Sequence, residues 1–358
     1  MAELRLEDFL CNEEISIVEA MERISQNRHG ILFVVDKEYH LLGSLTDGDI
    51  RRWLVKTGNL SAKISKVMFK TPTSILESDK NNALGVMKQK KITAVPVISI
   101  DKTVTSILFA TDTELGSKNK NNTLKDVAVV IMAGGKGTRL YPYTKILPKP
   151  LIPIGDIPII ERIINSFRDY SVSDFYIPVN YKKGMIKSYF NDLNPDYSIT
   201  YVEEDKPLGT AGSLKLIDKS FDKPVVVTNC DILINADYYD IYQHHLNSGN
   251  RLTIVSALKK ITVPYGVLNA GQKGIIKSME EKPCLSYFVN TGMYVLDSDV
   301  LSQIPDNTFF HMTDLASLLM KNGEQVGMYP ISEEAFLDMG ELEEMKRMEK
   351  KLSMNEKS

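Results

Sequence analysis

The apolar run from Val127 to Met132 passes without a break into Ala133-Gly134-Gly135-Lys136-Gly137-Thr138-Arg139, and few folds accommodate that junction. A continuous apolar run closed by glycines reads as a strand buried on both faces that ends in a turn. Gly134, Gly135 and Gly137 let backbone N–H groups approach an anion closely and point at it. Arg139 adds a planar fork of donors suited to phosphate oxygens. Pro142, Thr144 and Pro148-Lys149-Pro150 follow, and Lys149 brings a second positive charge back to the same place. Two better-known phosphate motifs do not fit. A P-loop needs Gly-Lys-Ser/Thr, but Gly137 follows Lys136; a dinucleotide fingerprint needs a third Gly where Leu140 stands.

Beyond this junction, buried-type strands such as Phe175–Val179 and Val225–Thr228 alternate with helical stretches such as Ile159–Tyr170. That alternation predicts an α/β domain over residues 126–350: a mostly parallel mixed sheet flanked by helices. The last segment, Gly340–Leu352, has Leu342, Met345 and Met348 at helical spacing and predicts a terminal helix. Ahead of the junction, the first 112 residues carry an internal repeat at an offset of 63. Ala20 falls on Ala83, Ile24 on Met87, Leu45 on Leu108 and Asp49 on Asp112. Each copy reads as a helix (Ile17–Gln26 in the first) and two strands (Ile31–Val35 and Leu41–Leu45, then Ala94–Ser99 and Val104–Phe109). Units this small cannot bury their apolar faces alone, so the two should pack on each other as a smaller α+β module over residues 1–120. A polar stretch from Gly116 to Thr123 reads as a linker.

The chain has 358 residues, enough for two or three domains, and a net charge of −3, which implies no broad field for gathering nucleic acid. Cys11, Cys230 and Cys284 form neither a metal-ligand pattern nor an even disulfide framework, which points to a reducing compartment. The N-terminus lacks a basic start followed by an apolar run, and no segment approaches the ~20 apolar residues of a membrane span. A cytoplasmic protein without a membrane partner is expected.

Asp231 ends the buried-type strand Val-Val-Val-Thr-Asn-Cys-Asp231, where open α/β sheets bind ligands. Magnesium takes one or two carboxylates plus phosphate oxygens. In Glu204-x-x-Pro207-Leu208-Gly209-Thr210-Ala211-Gly212 the small residues would let backbone approach a nucleoside or sugar. His244 and His245 lie in a helical run and are expected on an exposed face; His311 is expected to be structural.

The spacing Gly135-x-Gly137-Thr138-Arg139-x-x-Pro142-x-Thr144-x-x-x-Pro148-Lys149 resembles the signature of sugar-1-phosphate nucleotidyltransferases, and the resemblance extends to about Met348. It implies a Rossmann-like fold and an enzyme that joins a nucleoside triphosphate to a sugar 1-phosphate. By this resemblance Ala133, Gly134, Gly135, Gly137, Thr138, Arg139, Lys149, Pro207, Gly209 and Thr210 bind nucleotide. Asp231 and Asp338 hold Mg2+, although Phe336-Leu337 stands where the family has a Trp. Glu281 takes sugar hydroxyls and Lys282 the sugar phosphate, with Gly266 and Asn290, in Asn290-Thr291-Gly292, completing the sugar site. Arg139, Lys149 and Asp231 are the catalytic set.

The N-terminal repeat resembles a pair of cystathionine-β-synthase (CBS) motifs. Gly43-Ser44-Leu45-Thr46-Asp47-Gly48-Asp49-Ile50-Arg51 matches the nucleotide-contacting segment of that family. The second copy departs from it, with Ser106 for the Gly and Phe109 for the Thr, while Asp112 remains. The resemblance implies an adenine nucleotide contacting Thr46, Asp49, Arg51 and Asp112, and association into a homodimer or higher homo-oligomer. Together the two modules resemble the glucosamine-1-phosphate guanylyltransferases of legionaminic acid biosynthesis. That implies GTP and glucosamine 1-phosphate as substrates, with the product feeding surface-glycan or nonulosonic acid synthesis. Mannose-1-phosphate guanylyltransferase and glucose-1-phosphate thymidylyl- or uridylyltransferase are close rivals. A choline-phosphate cytidylyltransferase and a nucleotide-sensing protein without catalysis stand further off.

Overall fold

The structure is a computed structural model that describes residues 5–27, 29–110, 123–340, 344–346 and 348–349. The chain divides into two units, Met1–Asn121 and Asn122–Ser358. The polar stretch from Gly116 lies almost wholly outside the described residues, as does Asp112.

In the first unit β1 (Leu10–Asn12) leads to α1 (Ile17–Asn27), β2 (Ile31–Val35), β3 (Leu41–Thr46) and α2 (Asp47–Thr57). The second copy runs β4 (Ile75–Leu76), α3 (Ala83–Lys90), β5 (Ala94–Ile98) and β6 (Val104–Phe109). Each copy is therefore a three-stranded sheet, not two-stranded, since β1 pairs parallel with β2 and β4 with β5. These extra strands span only three and two residues, too few for alternation to register. The copies do pack together. Phe9, Phe33 and Val35 share one buried cluster with Ala94, Val104 and Phe109. The hairpin turns also pair through Leu41 N–H to Lys102 O (3.1 Å) and Val104 N–H to Tyr39 O (3.0 Å).

Thr46 begins α2 as a capping box. Its hydroxyl accepts the Asp49 N–H (3.2 Å), and the Asp49 carboxylate accepts both the Thr46 N–H (2.9 Å) and its hydroxyl (2.6 Å). The cap satisfies backbone donors that helix geometry leaves unpaired. Thr46→Ala should lower the stability of this unit by about 1 kcal/mol, read as an earlier unfolding transition of the full chain; an unshifted transition would show that the cap is redundant.

The second unit opens with β7 (Val129–Met132), α4 (Tyr143–Ile146), β8 (Pro153–Ile154), β9 (Ile157–Pro158), α5 (Ile159–Arg168), β10 (Asp174–Val179), α6 (Lys183–Leu193) and β11 (Ser198–Glu203). It continues through α7 (Gly209–Gly212), β12 (Val225–Asn229), β13 (Ile232–Ile234), α8 (Tyr238–Ser248), β14 (Leu252–Thr262), β15 (Val267–Ala270), β16 (Ile276–Glu280), β17 (Cys284–Leu296), α9 (Met312–Lys321), β18 (Val326–Ile331) and β19 (Phe336–Asp338). The main sheet has the order β11-β10-β7-β12-β17-β14-β18. Its β11, β10, β7 and β12 are parallel, and β17 runs against both β12 and β14. This is the mixed, mostly parallel α/β sheet that the alternation predicts.

β7 shows why its sequence is apolar throughout. Val129 and Ile131 enter one core, with Ile160, Ile163, Ile164 and Phe167 of α5, while Val130 and Met132 enter the other, with Leu315 and Leu319 of α9. Each such side chain contributes about 1.5–3 kcal/mol by leaving water. The described residues of the terminal segment, 344–346 and 348–349, are helical, and Met348 is buried in the first core.

His245 corrects the expectation of an exposed face. It is buried, and its ring nitrogens meet Thr253 Oγ1 (2.9 Å) and Asp297 Oδ1 (3.2 Å). Burial lowers its pKa. The backbone N–H of His311 donates to Asp314 Oδ2 (2.8 Å) at the start of α9. Among the described residues no helix is long and apolar enough to cross a membrane.

Candidate active site

Because β7, β10, β11 and β12 are parallel, their carboxyl ends share one edge of the sheet. From β7 the chain fills one side with β10 and β11, then returns to the other side as β12. Where strand order reverses in this way, loops leave in opposite directions and open a crevice. The glycine loop after Met132 and the Asn229–Asp231 segment after β12 both enter it, with Asn229 in register with Met132.

Ala133 is buried and donates its N–H to Pro178 O (3.1 Å), anchoring the start of the loop. Space around Gly135 is open. Gly137 has φ +64°, and a Cβ there would lie 2.9 Å from Thr144 Cγ2 and 3.1 Å from Lys149 Cβ. The fully buried Thr144 donates its hydroxyl to Gly137 O (2.8 Å). The Pro142–Lys149 segment is thus pinned back onto the loop, which explains its spacing and the position of Lys149. Thr138 and Arg139 are exposed in a single turn closed by the buried Leu140.

The Lys149 ammonium pairs with the Asp231 carboxylate, and both side chains are only 12% exposed. Asp338 ends β19, which runs against β13 with Asp338 opposite Ile232. The Met339 N–H donates to Asp231 O (2.8 Å), binding the two acidic segments together. Burial pushes the Asp338 carboxyl above its ordinary range and the charge of Asp231 adds to this, while Lys149 and Arg139 oppose it. Two hard carboxylates brought together beside a glycine-rich loop fit a divalent cation. Arg139 and Asp338 also share the wall of a cavity of about 230 Å³. Phe336 and Leu337, standing where the family has a Trp, pack against the first core.

The small residues of the second loop make room for a neighbouring stretch of the protein. Gly209 (φ +78°) faces protein: a Cβ there would lie 2.6 Å from Phe310 O. Ala211 and Gly212 both donate N–H to that carbonyl (2.9 Å each), and Thr210 Oγ1 accepts the Met312 N–H (3.0 Å). The small residues at Gly209 and Gly212 thus admit the 308–312 backbone, while Pro207 is exposed.

Glu281 lies against Gly266, where a Cβ would sit 2.9 Å from Glu281 Oε2. Lys282 adopts φ +48° in the exposed turn entering β17. Among the described residues no hydrogen bond or ion pair joins Glu281 or Lys282 to Asp231 or Lys149. The Asn290 side chain donates to Tyr294 Oη (2.7 Å) and accepts the Gly292 N–H (2.9 Å). Gly292 has φ +91° and packs on the Asn229 side chain. Gly292→Ala should cost about 1–3 kcal/mol and slow turnover by displacing Asn229 beside Asp231. Thermal unfolding together with turnover checks this; a variant matching the wild type in both would sink it. In the first unit Arg51 pairs with Asp47, and Arg52 contacts Asp49 Oδ1 at 2.5 Å, so Thr46 and Asp49 serve α2 directly.

One residue of this edge, Asn229, is not marked by any motif of the sequence. Asn229 is masked in sequence by the apolar strand it ends. Glu204 carries a buried carboxylate against Gly134. Glu204 opens the second glycine-containing motif, and the end of β11 beside β10 brings it against the first loop.

A family model described as nucleotidyl transferase matches residues 128–354, and one described as CBS domain matches residues 6–56. A mannose-1-phosphate guanyltransferase of Debaryomyces hansenii is 31% identical over 222 residues, covering 59% of this chain and 60% of the relative. A UTP–glucose-1-phosphate uridylyltransferase of Synechocystis sp. is 32% identical over 214 residues, covering 54% and 55%. The chain spans about half to three fifths of the length of such curated relatives. Among solved structures, a glucose-1-phosphate thymidylyltransferase from Bacillus anthracis in complex with a sucrose superposes with a TM-score of 0.50 at 27% identity, covering 63% of this chain and 94% of that one.

Proposed function

Within the nucleotidyl transferase family, to which this chain belongs by a match over residues 128–354, we propose that it transfers a nucleotide from GTP to glucosamine 1-phosphate, releasing pyrophosphate. The observation that carries the reaction class is the Lys149–Asp231 pair, with Asp338 beside it, at the crevice edge of β7 and β12. A phosphate oxygen of the sugar 1-phosphate attacks the α-phosphorus in line; the bond from that phosphorus to the bridging oxygen breaks, and pyrophosphate leaves. A phosphate anion is already nucleophilic near neutral pH, so positioning and charge neutralisation suffice. Arg139 holds the departing pyrophosphate and Lys149 the α-phosphate; Lys282 orients the incoming phosphate and Glu281 the sugar hydroxyls. Asp231 and Asp338 are the residues to hold Mg2+, which when bound neutralises phosphate charge.

A mannose 1-phosphate acceptor is the second reading, favoured by the guanyltransferase relatives, while glucose 1-phosphate with UTP or dTTP follows from the others. A sensor without catalysis is disfavoured because it has no need of two carboxylates beside a phosphate cradle. We assign residues 1–120 to adenine-nucleotide regulation, 126–350 to transfer, and a homo-oligomer as the working form. A cytoplasmic setting agrees with the free Cys11, Cys230 and Cys284. Pyrophosphate release measured with Mg2+ over a grid of NTPs and hexose 1-phosphates tests the proposal. The highest turnover is expected with GTP and glucosamine 1-phosphate, and silence across the grid would remove the transfer reading.

A further inference from the structure

Residues 141–147 join the glycine loop to Lys149, and their own side chains do little to hold them in place. Tyr141, Tyr143 and Ile146 are exposed, and Thr144 alone in this stretch is buried. The helix inside it, α4, is a single turn, too short to persist by itself in water. Its order is therefore left to polar contacts.

The inner contact is the Thr144 hydroxyl on Gly137 O (2.8 Å). The outer contacts come from one turn, residues 180–182, between β10 and α6. Tyr181 donates its hydroxyl to Thr144 O (3.1 Å). The Lys182 ammonium donates to Lys145 O (2.5 Å) and Ile146 O (2.6 Å), carbonyls that the end of α4 leaves without helical partners. This turn is itself fixed: the Asn180 side chain donates to Glu204 O (2.8 Å), and Lys182 O accepts the Met185 N–H (3.0 Å). Lys182 has φ +52°, a left-handed conformation that glycine adopts freely and a residue with a Cβ adopts at a cost. Backbone geometry does not call for lysine there; the two carbonyls do.

We infer that Tyr181 and Lys182 are positioning residues for the triphosphate; this rests on the nucleotidyl-transfer reading and deepens it. They act through residues 141–147. The turn holds the segment from outside while Thr144 ties it to the loop from inside. Gly137 and Lys149 flank the segment, and they stay in contact only while it keeps its shape: a Cβ on Gly137 would lie 3.1 Å from Lys149 Cβ. Without the outer clamp α4 opens, and Arg139 and Lys149 lose the fixed separation that holding one triphosphate at two places requires.

The test is steady-state kinetics of the full-length protein with Mg2+, using its best NTP and hexose 1-phosphate, for the wild type, Lys182→Met, Lys182→Arg and Tyr181→Phe. Lys182→Met keeps the apolar stem and removes the ammonium. It should raise the KM for the nucleotide by about 10- to 100-fold, the scale on which misplaced contacts are felt. The KM for the sugar 1-phosphate should stay within a few-fold of the wild type. The unfolding transition should hardly move, because the ammonium contacts lie at an exposed site. Lys182→Arg, which still offers several donors, should recover most of the loss, and Tyr181→Phe should shift the same KM by less. A fall in kcat with both KM values unchanged would mark a brace of the fold and overturn the inference. Wild-type kinetics in Lys182→Met, or no recovery in Lys182→Arg, would overturn it too, with nucleotidyl transfer left standing. If the wild type turned over no nucleotide, the transfer reading would fall. Calorimetric binding of inorganic triphosphate would then judge the clamp alone: affinity at least tenfold weaker in Lys182→Met supports it, and equal affinities or no binding by either protein overturn it.

Discussion

Asp231→Asn should stop nucleotidyl transfer while the fold persists. The substitution is nearly isosteric, and the backbone bond from Met339 N–H to Asp231 O does not involve the side chain. The pairing of β13 with β19, which places Asp338, is also untouched. What disappears is one of the two carboxylates proposed to hold Mg2+. Loss of a single preorganised electrostatic contact in such a site costs a factor of about a hundred to a thousand, and losing a metal carboxylate should reach at least the upper end. Pyrophosphate release gives the rate, and a native-like circular dichroism spectrum with a cooperative unfolding transition confirms the fold, although leaving Lys149 without its carboxylate should bring that transition earlier. Wild-type turnover by this variant would falsify the placement of the reaction centre.

Lys149→Met should damage both stability and activity, and the two effects separate. The ammonium is the partner of a carboxylate whose side chain is 12% exposed. Removing one member of a buried pair leaves an uncompensated charge and costs about 3–5 kcal/mol. Adding Asp231→Asn to that variant removes the orphaned charge, so the double variant should unfold at higher denaturant than Lys149→Met alone. Magnesium should likewise stabilise the single variant more than the wild type, because a cation can replace the lost positive charge. Chemical denaturation with and without Mg2+ measures both. A single variant as stable as the wild type, and no gain in the double, would mean that the pair contributes nothing to the fold.

Most of this architecture was legible because the relevant signals are local. The apolar run ending at Met132 can be buried on both faces only inside a layered sheet, and glycine spacing reports backbone geometry directly. The repeat placed β5 and β6 from β2 and β3. Local signals failed where elements are very short, as in β1 and β4. They also failed where the partner is distant in sequence. His245 lies in a polar-looking helical run, yet Thr253 and Asp297 enclose it. Nor does the sequence show that the Phe310 backbone passes close to Gly209.

By itself the sequence determined which groups are on offer: a glycine-rich turn followed by Arg139 and Lys149, the carboxylates Asp231 and Asp338 that the family resemblance singles out, and a repeat module ahead of them. Those are properties of residue type and spacing, and they survive without coordinates. Only the tertiary structure decided which of these groups meet. It paired Lys149 with Asp231, set Asp338 beside them across β13 and β19, and laid Glu204 against Gly134. Such encounters depend on strand order and register, which arise from the packing of whole elements and leave no mark on any short stretch of chain.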